Sequence, residues 1–147
     1  MKTAEDIVKD KKADIVSISY DRTVQHACRL MVEKKIGAIL VGKEDNYVGI
    51  WTERDLLRNM TAPRFDPETA QIGDYMTTPL HSVSHDTPIH KIEEMFLGLF
   101  VRHLPVDKEG ETIGMLSVGD VLLASLLQKE RDFQELNEFV NWEYYEN

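Results

Sequence analysis

The sequence predicts an α+β fold of two β-α-β-β-α halves packed with pseudo-twofold symmetry, followed by a C-terminal helical extension. Three observations predict it. The stretch Val48–Leu57, VGIWTERDLL, returns as Ile113–Leu122, IGMLSVGDVL. Thr52 then matches Ser117 and Asp55 matches Asp120, a shift of 65 residues in both cases (117 − 52 and 120 − 55). The same shift relates Asp21 to Asp86, Val24 to Ile89, Val41 to Val106 and Gly49 to Gly114 with no insertion. Two copies at a fixed spacing indicate a paired unit rather than a solenoid. The division read from the repeat is a first half over residues 1–62, a linker over 63–71, a second half over 72–128 and an acidic tail over 129–147.

Each element has a local cause. Thr3 with Asp6 three residues later caps a short helix over Thr3–Lys11 whose apolar side is Ile7 and Val8. Ile15–Ser19 is a short strand. Asp21-Arg22-Thr23 opens a helix with Val24, Ala27, Leu30 and Met31 at helical spacing, and Gly37 breaks it. Ala38–Val41 and Tyr47–Trp51 are strands around polar Lys43–Asn46, and Thr52 starts a helix with Leu56, Leu57 and Met60. Pro63 and Pro67 mark the linker. The cycle restarts with a short helix Ile72–Met76, a strand Leu80–Val83 and a helix from Asp86-Thr87-Pro88 carrying Ile89, Ile92, Met95 and Phe96. Strands Leu104–Val106 and Thr112–Leu116 flank a turn with Gly110, and Ser117 opens the last helix. Each half has a small core, so the two are expected to pack together.

Composition narrows the function. The chain has 147 residues, 42% of them hydrophobic and 29% charged, as in ordinary globular proteins. Its formal charge of −9 argues against a nucleic-acid backbone as the main partner, so an anionic ligand has to be met by local cations or amides. No apolar run is long enough to cross a bilayer, and Met1–Asp14 is too charged for a secretory signal. The one cysteine, Cys28, fits a reducing cytoplasm.

The repeated segment carries the chemistry. Gly49 and Gly114 let another group approach the backbone. The Thr52 and Ser117 hydroxyls stand where a helix begins, beside first-turn amides that attract phosphate oxygens. Asp55 and Asp120 lie one turn on, and an ionised carboxylate accepts both vicinal hydroxyls of a ribose. Hydroxyl-x-x-Asp is also how an ordinary helix caps itself, and the two roles are compatible.

The sequence resembles a tandem pair of CBS domains, a Bateman module. The G-h-h-[ST]-x-x-D signature stands as Gly49-Ile50-Trp51-Thr52-Glu53-Arg54-Asp55 and as Gly114-Met115-Leu116-Ser117-Val118-Gly119-Asp120. Ile72-Gly73-Asp74-Tyr75-Met76 and Arg102-His103-Leu104-Pro105-Val106 are also similar to the family, and the likeness runs from about Thr3 to Leu127. It implies a non-catalytic regulatory module with adenine nucleotides (AMP, ADP or ATP, alternatively NAD or S-adenosylmethionine) in clefts between the repeats. It implies no required cofactor, and a homodimer. In such a module the Asp holds ribose and the Ser/Thr faces ribose or phosphate. The base is framed by Ile15, Val16 and Ser17 with Gly37, Ala38 and Ile39 in one half. In the other it is framed by His81, Ser82 and Val83 with His103, Leu104 and Pro105.

The halves are not equal. The second has Arg102 and His103 where the first has Gly37 and Ala38, and a guanidinium offers forked donors to phosphate. Arg54 and Arg58 are the first half's cations, or else part of a solvated helix face. The cleft with Ser117, Asp120, Arg102 and His103 is therefore expected to bind more tightly.

Other constellations are weaker. His81, His85 and His90 lie close in sequence, but a zinc site wants a tighter set, often with Cys. Trp51 has Leu116 as its counterpart and reads as core, and Met31, Met60, Met76, Met95 and Met115 read as gap-fillers. There is no nucleophile elbow and no P-loop. In the tail, Phe133, Leu136 and Val140 continue the spacing of Leu122 and Leu126, and Trp142, Tyr144 and Tyr145 argue against full solvation. The alternative function is a structural protein that docks a regulated partner through its helices and acidic tail.

Overall fold

The computed structural model describes residues 1–43 and 46–146, with side chains through residue 141. The elements in chain order are α1 (Ala4–Lys11), β1 (Ser17–Ser19), α2 (Val24–Lys34), β2 (Ala38–Lys43), β3 (Asn46–Thr52) and α3 (Glu53–Met60). They continue as α4 (Ile72–Tyr75), β4 (Val83–Ser84), α5 (Ile89–Leu99), β5 (His103–Lys108), β6 (Glu111–Ser117) and α6 (Val118–Glu146). Glu44 and Asp45, expected in the first hairpin turn, lie outside the described residues, as do the side chains of Trp142, Tyr144 and Tyr145.

Two compact units result, cut differently from the sequence repeats. One is residues 14–81; the other is 82–147 together with 1–13. The spatial units therefore do not follow the sequence repeats at 62 and 72. Ala4 and Ile7 of α1 are buried in a core with Val83, Ile92, Leu104, Val106, Leu116 and Val121, so the first helix serves the second half. Residues 63–71, the expected linker, are tied to the first half. Pro67 O accepts from Gln25 N and Ala70 O from Val24 N, both at 2.9 Å, and the Phe65 ring meets Tyr75 edge-on at 5.0 Å.

Each unit holds one three-stranded sheet. In the first the order is β1-β2-β3, with β1 parallel and β3 antiparallel to β2; in the second β4-β5-β6 repeats that pattern. Even the irregularity repeats, since β2 shifts register between Val41 and Gly42 and β5 between Val106 and Asp107. Trp51 is fully buried with Val24, Ile39, Val41 and Ile72, and its Nε1 donates to Asn59 Oδ1 at 2.8 Å, so it is a core residue.

The elements expected from sequence are present with adjusted ends. β1 begins at Ser17, not Ile15, because only Ser17–Ser19 register against β2. β4 is Val83–Ser84 alone. α2 ends through Lys35 in the left-handed region (φ 56), and α5 through Phe100 (φ 54), so Gly37 is not the breaking residue. Pro88 is the N-cap of α5 and lacks a side-chain cap. The Asp21 and Asp86 carboxylates each accept from a serine hydroxyl, Ser19 and Ser84, at 2.7 Å. Met60 is exposed and fills no core gap.

Candidate functional site

In the first half β3 delivers Thr52 to the head of α3 in an extended conformation (φ −130, ψ 170). The Thr52 hydroxyl accepts from Asp55 N at 3.3 Å, and Asp55 Oδ2 accepts from Thr52 N at 2.9 Å, a reciprocal capping box. Asp55 Oδ1 accepts from the Thr77 hydroxyl at 3.2 Å and lies 3.5 Å from Arg58 Nη1. Asp55 is only 6% exposed. Its carboxylate is a buried structural tie, with both oxygens engaged.

The second half uses the same frame with a more open carboxylate. Ser117 Oγ accepts from Asp120 N at 3.1 Å, and Asp120 Oδ2 accepts from Ser117 N at 2.8 Å. The Lys11 ammonium, at the last residue of α1, donates to that Oδ2 at 2.9 Å and to Met115 O at 3.0 Å. Both bonds to the carboxylate fall on Oδ2, and the Asp120 side chain keeps 24% of its surface in solvent. Burial pushes the Asp120 pKa up, but the Lys11 ammonium and the Ser117 amide outweigh it and hold the carboxyl below its usual range.

Two of the first three helix amides in each half are already engaged. Glu53 N donates to Gly37 O at 3.2 Å and Val118 N to Arg102 O at 2.9 Å, while the third amide goes to the Thr52 or Ser117 hydroxyl. The expected cradle of unpaired amides is thus narrower than the sequence suggested. The same bonds bring the framing residues to the hydroxyls. Ala38 is the cross-strand partner of Thr52, and His103 that of Ser117.

The remaining candidates separate into surface and core. Arg54, Arg102 and Ser82 are exposed, and Ile15, Val16 and Gly37 are half-buried. Leu104 and Val83 have side chains buried in the second-half core; Pro105 and Ala38 are buried in their strands. A cleft of about 360 Å³ opens in the first-half unit beside Gly37, lined by Cys28, Ile36, Gly37, Trp51, Glu53 and Leu56 among others. Thr52, Arg54 and Asp55 do not line it. Burial raises the Cys28 pKa, which keeps that thiol protonated.

The glycines of the repeat prove to be close-packing positions for the protein itself. A methyl group on Gly114 would stand 2.5 Å from Val8 Cγ1, and one on Gly49 2.6 Å from Met76 Sδ. Lys11 and Thr77 are the participants that sequence reading missed. Lys11 sits at the end of an apparently ordinary helix, and Thr77 follows the Ile72–Met76 segment by one residue; neither stands inside the signature. Among the described residues no three of His, Cys, Asp and Glu converge as a metal site, and His85 Nδ1 instead meets Glu5 Oε2 at 3.0 Å.

Twin strand–turn–helix frames, each closed by a hydroxyl and an Asp, coincide with a family model described as the CBS domain, which matches residues 4–62 and 72–127. The chain belongs to the CBS-domain family. Among relatives, the mitochondrial CBS domain-containing protein CBSX3 of Arabidopsis thaliana is 32% identical over 129 residues. That match takes in 84% of this chain and 63% of the relative, so the chain spans less than two thirds of that protein's length. A crystal structure of a CBS domain superposes with a TM-score of 0.81 at 32% identity, covering 86% of this chain and 99% of that one. The hexameric CBS-CP12 protein of bloom-forming cyanobacteria aligns with a TM-score of 0.71 at 29% identity, over 83% of this chain and 70% of that one.

Proposed function

We propose that this CBS-domain pair is a non-catalytic regulatory module that binds adenine nucleotides and signals to a partner protein by a change of conformation or dimer form. The observation that carries the reading is the Asp120 carboxylate. It is ionised, partly open to solvent, fixed at the head of α6 by Ser117, and flanked by the Arg102 strand start and the Lys11 cation. A ribose diol needs such an acceptor, and phosphates need such cations in a chain of net charge −9. The second-half site with Ser117, Asp120, Arg102 and His103 is the stronger of the two, because Asp55 in the first half has both oxygens occupied. AMP, ADP and ATP are the ligands of choice, with NAD and S-adenosylmethionine as adenosyl alternatives; the protein needs no cofactor. We place it in the cytoplasm as a homodimer. No described helix is long and apolar enough to cross a membrane, and the Arabidopsis relative is named as mitochondrial.

Ligand action is differential affinity: a nucleotide that binds one arrangement better shifts the population toward it. The test is thermal unfolding with added AMP, ADP or ATP. A ligand at about 100 times its Kd adds about 2.7 kcal/mol, a readily measured rise in Tm. Absence of a shift with every adenosyl compound overturns the reading. The alternative, a scaffold that docks a partner through its helices, is favoured by one observation: Leu126, Phe133, Leu136 and Val140 form an exposed stripe on α6.

A further inference from the structure

The two halves hold equivalent anchors by different chemistry. In the first, Ile50 O accepts from Thr77 N at 2.7 Å and Asp55 Oδ1 from the Thr77 hydroxyl at 3.2 Å. In the second, the corresponding Met115 O and Asp120, each 65 positions on (115 − 50 and 120 − 55), are both held by the Lys11 ammonium at 3.0 and 2.9 Å. A main-chain amide and a neutral hydroxyl do in one half what a single cation on a flexible stem does in the other. We infer that Lys11 is a specificity-determining residue of the second-half site, selecting phosphorylated nucleotides over bare nucleosides and making that site the charge-sensitive one of the pair.

The inference rests on the adenine-nucleotide reading of Asp120 and adds the source of discrimination. Lys11 bonds Oδ2, so a ribose diol can take Oδ1 without displacing it. The phosphate of a 5′-nucleotide is carried on the same sugar, within a Debye length of the ammonium (about 10 Å at 0.1 M salt). Lysine is a compact point charge with rotatable donors, suited to phosphate on a one-third exposed side chain. Without Lys11, Asp120 would face an anionic ligand with its own charge uncompensated. Thr77 supplies no such charge, and Arg58, the cation near Asp55, extends largely into solvent.

The experiment is calorimetric titration of adenosine, AMP and ADP into the unaltered chain and into Lys11→Met and Lys11→Arg, read for the site that Asp120→Ala removes. For Lys11→Met the preference for AMP over adenosine should fall about fivefold and that for ADP further, a size set by one unit charge at short range in a partly solvated site. Adenosine affinity should stay within about twofold, and Lys11→Arg should restore the preference. In the unaltered chain, raising salt should weaken AMP and leave adenosine unchanged, a measurement that needs no variant to fold. Equal losses for adenosine and AMP would mean that Lys11 only shapes Asp120, and an unchanged ratio would mean no role; either overturns the inference while leaving nucleotide binding intact. No binding of any adenosine compound to the unaltered chain overturns both readings.

Discussion

Thr77 Oγ1 donates to Asp55 Oδ1 at 3.2 Å and thereby closes the last acceptor of a carboxylate that is 6% exposed. Its counterpart Asp120 takes the Lys11 cation on Oδ2, beside the Ser117 amide, and keeps about a quarter of its side-chain surface in water. The same signature therefore holds a closed carboxylate in one half and a more open one in the other. Asp55→Ala should cost about 1–3 kcal/mol, since it removes an N-cap bond and strands the Thr52 amide and Thr77 hydroxyl. Asp120→Ala should cost about 1 kcal/mol and abolish the nucleotide-induced rise in Tm. Urea unfolding of both variants, with and without AMP, checks the contrast; equal loss of the ligand effect in the two would defeat it.

Gly114 lies against Val8 of α1. Gly114→Ala would drive a methyl into Val8, whose branched carbon leaves it no easy retreat, and should destabilise by about 1–3 kcal/mol. Val8→Ala makes room at the point of collision. The double variant should then recover part of the loss, a positive coupling measurable in a double-mutant cycle. Strict additivity would show that Val8 is not what Gly114 accommodates.

The doubling of the signature made the architecture legible before any coordinates, because a 65-residue register held from Asp21–Asp86 through Asp55–Asp120 leaves few alternatives. Caps at Thr3, Thr52 and Ser117 were equally open to reading, being local rules between residues three apart. What stayed hidden was long-range. That α1 packs in the second-half core depends on Ala4 and Ile7 meeting Val83 and Leu104, pairs about eighty to a hundred residues apart that no periodicity reports. Lys11 escaped for the same reason. Leu104 and Val83 stand at the ligand by resemblance alone, and their side chains lie in the second-half core, a long-range fact as well.

Glu5 ties α1 to its unit and makes that tie acid-sensitive. Lys108 donates to Oε1 at 2.7 Å, His85 meets Oε2 at 3.0 Å and Lys9 lies at 3.3 Å, and together they pull the Glu5 pKa from about 4.5 down to about 2. A lowered folded-state value means the folded chain favours the ionised form. This stabilisation is therefore complete above pH 4.5 and fades as pH falls toward 2. Glu5→Gln should lower the urea midpoint at pH 6 and narrow its difference from the unaltered chain at pH 3. A difference that is constant across that range would refute the linkage.

Helix α6 continues through Glu146, well past the core residues Val121 and Ala124, and its apolar residues do not turn inward. Leu126, Phe133 and Val140 recur every seven residues with Leu136 between the last two, and all four are largely exposed. A seven-residue apolar repeat on an isolated helix is a seam for a second helix, and a homodimer provides one by symmetry. Residues 132–147 carry five acids and no base, but Glu135 and Glu138 fall outside the Phe133–Leu136–Val140 face, so self-pairing need not appose them. Phe133→Glu with Leu136→Glu should shift the molar mass by light scattering from dimer toward monomer at micromolar concentration while leaving far-UV helicity of the remaining elements in place. An unaltered dimer would assign the contact to other faces of the chain, and a monomeric parent would leave the stripe to a different protein.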